Sequence, residues 1–231
     1  EPSRRDRKRG QMQSILIGDY KGVRVNIQNH QDVFEVYHTL DDPKESTDLA
    51  GKAGVPTQQQ FQAAVLRTRR IDLAAPRPYD NELIPAVAKR TTRPGLIRKE
   101  FPGQFPWVPQ FNQLKPSGQT VVKELIPATG AQQFSGYLRV PQSGVYHFVL
   151  TTNGKAIVRM HNALLINADT NYTAGSPALS GKIPLQAGIH PITIRYLPSA
   201  LEESLSLQWQ LPGGKMEDIS PQHFLCNKGE Q

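Results

Sequence analysis

Gly136-Tyr-Leu-Arg-Val140, Pro141-Gln-Ser-Gly144, Val145-Tyr-His-Phe-Val-Leu150, Thr152-Asn-Gly-Lys155 and Ala156-Ile-Val158 follow one another and decide the fold. The apolar runs are short and bounded by Pro, Gly, Ser and Asn, which punctuate strands. In the middle run Tyr146, Phe148 and Leu150 would face one way, and Val145, His147 and Val149 the other. That two-residue period is the mark of a half-buried strand. Asn-Gly between two such runs is a strong short-range hairpin signal, so Asn153-Gly154 is predicted to close a hairpin.

The pattern continues outward from this stretch. Ala163-Leu-Leu-Ile-Asn167, Ala178 to Leu185, His190-Pro-Ile-Thr-Ile-Arg-Tyr196 and Ser204-Leu-Ser-Leu-Gln-Trp-Gln210 read as further strands, the last with Leu205, Leu207 and Trp209 inward. Upstream, Val121 to Ile126 opens the series. Phe101, Phe105, Trp107 and Phe111, set among Pro102, Pro106 and Pro109, are predicted to form an apolar loop packed on the core. Short strands at this spacing indicate a sandwich or barrel.

The N-terminal part reads differently. Ile15–Ile17, Val23–Ile27 and Val33–Thr39 are strand-like, and Thr57-Gln-Gln-Gln60 is a capping box. Phe61, Val65, Thr68 and Ile71 then recur at helical spacing over about four turns. The fold class is therefore mainly β. A small α+β subdomain, an antiparallel sheet plus one helix, spans 1–73. A linker or strap with Pro76, Pro78 and Pro85 spans 74–93, and an antiparallel β-sandwich spans 94–231.

Totals bound the function. The chain has 231 residues, 38% hydrophobic and 20% charged, enough for a core but with no apolar run that spans a membrane. It begins at Glu1 rather than Met and is read as a mature chain or fragment. The single cysteine, Cys226, in a polar tail, excludes an intrachain disulfide and is read as structural or incidental. The six histidines show no metal-ligand spacing. Net charge is +7, and residues 1–99 hold 18 Lys and Arg against 12 Asp and Glu, whereas 100–231 hold 9 against 8. The basic clusters lack a recognition helix or interleaved aromatics, which argues against nucleic acid. A solvated face, or one toward sulfated or carboxylated polysaccharide, fits them.

Gly18-Asp-Tyr-Lys-Gly-Val-Arg24, Phe34-Glu-Val-Tyr37 and Leu40-Asp-Asp-Pro-Lys-Glu-Ser-Thr-Asp-Leu-Ala50 resemble the C-terminal subdomain of the sulfatase family, over residues 10–72. Gly95-Leu96, Val108-Pro-Gln-Phe111, Phe134-Ser-Gly-Tyr-Leu138, Ser143 to Phe148, Leu185 to Ile192 and Leu207-Gln-Trp209 resemble the protective-antigen domain, a carbohydrate-associated β-sandwich of toxins, adhesins and glycosidases. Together these imply the C-terminal part of a secreted or periplasmic sulfatase acting on sulfated glycans, with the upstream catalytic domain as partner. Such a parent would use calcium and formylglycine. The C/S-x-P-S-R motif is incomplete here, since nothing precedes Pro2-Ser-Arg4 but Glu1, so no catalytic residue and no cofactor is assigned to this chain. A stand-alone carbohydrate-binding or adhesion module, or a structural spacer, are the other readings.

Two sets of candidate site residues emerge. Lys21, Arg24 and His38 offer cationic donors to a sulfate, against a role as ordinary strand residues. Asn153, Asn167, Asp169, Asn171 and Tyr172 place polar groups and a ring in loops at one end of the sandwich, where polarity is also expected of any loop. The adhesin relatives hold calcium with paired aspartates at the position of Thr152-Asn153, and here the anionic oxygens a divalent cation needs are missing. Asp41-Asp42 before Pro43 reads as turn chemistry, and no metal ligand is assigned.

Overall fold

The structure is a computed structural model that describes residues 11–69, 77–88, 90–169, 179–199 and 204–229. The chain forms two compact units, Glu1–Glu82 and Leu83–Gln231.

In the first unit β1 (Gln13–Ile17), β2 (Tyr20–Arg24) and β3 (Glu35–His38) form an antiparallel sheet in that order. Gly18, with φ of 58°, takes the left-handed conformation at the β1–β2 turn. Helix α1 (Gln58–Thr68) starts at the expected capping box: Gln60 N–H donates to Thr57 Oγ1 at 3.3 Å, and Thr57 N–H donates to Gln60 Oε1 at 2.7 Å. Phe61 and Val65 bury against Phe34 and Val36. Gly22 lets the Phe61 ring lie on the strand, because a Cβ there would stand 2.6 Å from Cδ1 of that ring. The helix has about three turns rather than four. Arg69 leaves it with extended backbone and turns its buried guanidinium onto the carbonyls of Tyr79 and Glu82. Ile71 lies outside the described residues.

The second unit contains β4 (Thr92–Pro94), β5 (Leu96–Phe101), β6 (Gly118–Val122), β7 (Ala131–Val140), β8 (Gly144–Thr152), β9 (Lys155–Met160), β10 (Ala163–Asn167), β11 (Leu179–Leu185), β12 (Gly188–Leu197), β13 (Leu205–Gln210), β14 (Met216–Asp218) and β15 (Phe224–Asn227). One sheet has eight strands, β10-β9-β12-β7-β15-β4, with β5 beside β7 and β6 beside β5; the other is β11-β8-β13-β14. All their pairings are antiparallel, as the fold class required. Tyr146, Phe148, Leu150, Leu207 and Trp209 of the small sheet and Phe134, Leu138, Val158, Ile192 and Ile194 of the large one are buried. Burying each is worth ~1.5–3 kcal/mol. Residues 83–88 run along this unit, with Ile84 N–H donating to Pro184 O at 2.9 Å and Val87 N–H to Ile189 O at 3.0 Å.

Four expectations are corrected. First, Asn153-Gly154 closes no hairpin: β8 lies in the small sheet and β9 in the large one, so this turn carries the chain between sheets. Alternating burial is the same whichever sheet a strand joins, and neither residue has the positive φ that a type I′ hairpin demands. The Pro141–Ser143 turn likewise crosses, and the hairpin in this region is β9–β10, turned at His161 with φ of 51°. Second, the series opens earlier, at β4 and β5. Third, Cys226 sits in β15 between β7 and β4 and is 0% exposed, not in a polar tail. Fourth, Phe101 and Phe111 pack with Val108 and Ala131, but Trp107 is 63% exposed.

A candidate glycan-binding site at one end of the sandwich

The loop after β5 returns over one end of the large sheet, anchored by the packing of Phe101 against Phe111, whose rings are tilted by 54° with centroids 4.5 Å apart. Its middle is pinned twice. Lys155 Nζ, at the start of β9, donates to Pro106 O at 2.6 Å. Val108 N–H donates to Asp169 Oδ1 at 3.1 Å, and Asp169 N–H donates to Asn167 Oδ1 at 3.0 Å, just past β10. Trp107 stands between these two fixed points, so its backbone is held while its indole faces solvent. Beside it a groove of about 340 Å³ is lined by Phe105, Pro106, Gly154, Lys155, Leu197 and Pro198.

Among the predicted sugar ligands, the structure brings Asn153, Asn167 and Asp169 to this end. Each has an internal task. Asn153 Oδ1 accepts from Ser204 N–H at 2.9 Å and from the Tyr196 hydroxyl at 3.2 Å. Thr152 Oγ1 donates to Ser204 O at 3.0 Å and accepts from Gly154 N–H at 3.0 Å. Asn171 and Tyr172 lie outside the described residues. Trp107 and Lys155, which stand at the same end, are not among the residues singled out from the sequence. Nothing in a Pro-rich loop without periodicity tells which of Phe105, Trp107 and Phe111 turns outward.

Lys21, Arg24 and His38 are not brought together. Lys21 Nζ pairs with Glu45 Oε1 at 2.5 Å, from the side of the sheet opposite to Arg24 and His38. Arg24 is 3% exposed; its Nη1 donates to the carbonyls of His30 and Asp32 at 2.8 Å, and its guanidinium lies 4.5 Å from the Phe34 ring centre. Burial lowers its pKa, while Asp32 and Tyr79 raise it. His38 Nδ1 is 3.0 Å from Asp41 Oδ2. Asp42 is consumed by its turn: Oδ2 accepts the N–H groups of Ser46 and Thr47 at 2.8 Å. His190 is 0% exposed, with Nε2 bonded to Gln186 O and Nδ1 to His161 Nε2, both at 2.8 Å. Among the described residues no three His, Cys, Asp or Glu side chains form a metal-ligand group, and no helix is long and apolar enough to cross a membrane.

Solved structures resemble this chain at low identity. An anti-sigma factor domain-containing protein superposes with a TM-score of 0.50 at 17% identity, covering 62% of this chain and 51% of that one. An anti-sigma factor domain-containing protein from Clostridium clariflavum gives 0.47 at 16%, covering 60% and 49%. The Epithelial Adhesin 6 A domain from Candida glabrata, solved in complex with Galb1-3GlcNAc, gives 0.47 at 11%, covering 63% and 91%. The chain thus spans about half the length of the first two. No curated protein matches the sequence. The sulfatase resemblance is corrected here: the family model that matches is of another kind, and no sulfatase evidence accompanies it. The residues of Gly18–Arg24 have structural tasks in the three-stranded sheet: Gly18 makes the β1–β2 turn, Lys21 pairs with Glu45, and Arg24 bonds the carbonyls of His30 and Asp32. The matching family model is the PA14 domain, over residues 126–223.

Proposed function

We propose that this chain is a carbohydrate-binding or adhesion module, working outside the cytoplasm, whose sugar face is the loop end around Trp107. The observation that carries this reading is the exposed indole of Trp107 on a backbone fixed by Lys155 and Asp169. A bare aromatic ring supplies the flat apolar surface on which a pyranose stacks, and prior ordering of its loop lowers the entropy that binding must offset. Asn167, Asp169 and Lys155 at its side offer acceptors and a donor for sugar hydroxyls. The PA14 match supports the same reading, since its sandwich is the carbohydrate-associated type that the sequence resembles.

The test is glycan-array binding of the full chain in the presence of chelator. We expect metal-independent signals that Trp107→Ala reduces by on the order of tenfold, as loss of one stacking contact of ~1.4 kcal/mol would give. Silence across the array, or binding unchanged in Trp107→Ala, overturns the proposal.

A further inference from the structure

The two sheets of the second unit differ sharply in charge. The eight strands of the large sheet contain seven Lys and Arg residues and a single carboxylate, Glu100. The four strands of the small sheet contain Lys182 against Glu217 and Asp218. Glu100 is already engaged, its Oε1 accepting from Arg98 Nη2 at 2.8 Å. In β5, Arg98 and Glu100 alternate with Lys99, so they point to the other side of the strand.

The outward side of the large sheet can be read from its register. Lys99 lies opposite Gln133, Gln133 opposite Arg195, and Arg195 opposite Ile157. One step along, Ser135 lies opposite Thr193, and Thr193 opposite Arg159. These positions alternate with buried Phe134, Val158 and Ile194, so they share the outer face. Two strand spacings place the Cα atoms of Lys99 and Arg195 about 10 Å apart. Arg159 is the diagonal neighbour of Arg195, about 7–8 Å away. Beside Lys99, a groove of about 290 Å³ is lined also by Gln119, Ser135, Tyr137, Thr193 and Asn227.

On this face Lys155 and Arg159 donate to the carbonyls of Pro106 and Asn162, whereas Lys99 and Arg195 lack a counter-ion among the described residues. Arg195 Nε is buried and has no hydrogen-bond partner in the fold. Burial, and then the like charge of Arg159, lower the Arg195 pKa. Among the described residues neither Lys99 nor Arg195 forms an ion pair. A buried donor left unpaired beside a like charge is costly unless an anion meets it. We infer that the outer face of the eight-stranded sheet is an anion-recognition surface for a sulfated polysaccharide. Lys99 and Arg195 take the sulfates, and Gln133, Ser135 and Thr193 the sugar hydroxyls between them.

The chemistry favours a glycan over nucleic acid. Single strands are held by bases stacked on bare aromatic rings. Tyr137, the aromatic ring on the outward positions bordering this groove, is already faced by Arg90, whose guanidinium carbon is 5.9 Å from its centre. The loop that carries Trp107 covers the adjoining end of this same face, where Val108 and Phe111 pack with Phe101, Ala131, Ile157 and Leu197, but none of Lys99, Gln133, Arg195 and Thr193 belongs to that cluster.

The test titrates the full chain with a heparin oligosaccharide at low and high salt. Binding is expected at low salt and weakens as salt rises. The double variant Lys99→Gln, Arg195→Gln is expected to bind on the order of a hundredfold more weakly, at about tenfold for each charge-assisted contact. Lys182→Gln, on the small sheet, should change nothing. Footprinting of the unsubstituted chain checks the same point without a variant: heparin should protect Lys99 from acetylation and leave Lys182 accessible. Absence of binding at low salt, equal binding by the folded double variant, unprotected Lys99, or tighter binding to oligothymidylate than to heparin would each overturn the proposal.

Discussion

Asn153 Oδ1 lies 2.9 Å from the backbone nitrogen of Ser204, so a turn that leaves the small sheet is fastened to the start of a strand within it. The same oxygen accepts the Tyr196 hydroxyl from the large sheet. One carboxamide therefore ties both layers where the chain passes between them. Asn153→Ala is expected to lower stability by ~1–3 kcal/mol, the cost of orphaning part-buried donors. Urea unfolding checks it: the midpoint should fall with the slope unchanged. Asn153→Asp keeps the acceptor and should recover part of the loss. A midpoint unmoved in Asn153→Ala would show that the contact is dispensable.

Gly154 provides a sharper version of the same test. A Cβ at this position would stand 2.3 Å from Leu197 O and 3.0 Å from Tyr196 Cε2. The clash is with backbone, so it cannot be relieved by a side-chain rotation. Gly154→Ala should destabilise by at least the ~1–3 kcal/mol typical of overpacking. Thermal unfolding measures it, and a melting temperature equal to the parent's would contradict the tight crossing. In a two-residue hairpin of type I′, by contrast, alanine would strain φ rather than collide with another strand.

These two residues also show what could and could not be read in advance. Strand identity came through well, because Tyr146, Phe148 and Leu150 must bury whichever partner they find. Sheet membership did not, since pairing partners depend on long-range contacts that leave no local period. Thr57 and Gln60 were legible because a capping box is local chemistry, four residues long. Trp107 was not, because exposure in an aperiodic loop is set by Lys155 and Asp169, distant in sequence. Arg24, which looked like a surface donor, proved buried because its partners are carbonyls, which carry no sequence signature.

Local chemistry makes the capping box a clean experiment. Thr57→Ala removes the acceptor for Gln60 N–H and is expected to cost ~1 kcal/mol. Phe61 and Val65 hold the core of the three-stranded sheet, so the loss should appear as earlier unfolding of the first unit. Hydrogen exchange resolves the units: amides of α1 and β1–β3 should exchange faster in Thr57→Ala and those of β7 and β12 should not. Uniform acceleration across both units would count against the separate cores inferred from the packing.

The acid response should come from two aspartates of the first unit. Backbone hydrogen bonds from Gln28 and Asn29 lower the Asp32 pKa, and those from Ser46 and Thr47 lower that of Asp42. A folded-state pKa below the unfolded value means that the unfolded chain binds more protons as pH falls. Their stabilisation is thus full above the unfolded value of 3.8 and is lost as pH drops through the lower folded one. Carboxyl carbon shifts followed by NMR should show both groups titrating below model aspartate. Asp42→Asn should flatten the stability profile in that window, and an unchanged profile would assign the acid response elsewhere.

Cys226 reports on the closing strand of the sandwich. Strand β15 pairs with β7 through Phe224 and Leu225 and with β4 through Leu225, Cys226 and Asn227, which joins the two ends of the second unit. The thiol is 0% exposed, so alkylation requires the strand to leave the sheet. Iodoacetamide should therefore label the native chain at a rate limited by opening and label the urea-unfolded chain rapidly. Gly136 offers a control, because a Cβ there would stand 2.3 Å from Leu225 O and push β15 away from β7. Gly136→Ala should accelerate labelling by orders of magnitude while the first unit keeps its exchange protection. Rapid labelling of the unsubstituted native chain would instead mean that β15 is a frayed terminus, and that the eight-stranded sheet closes without it.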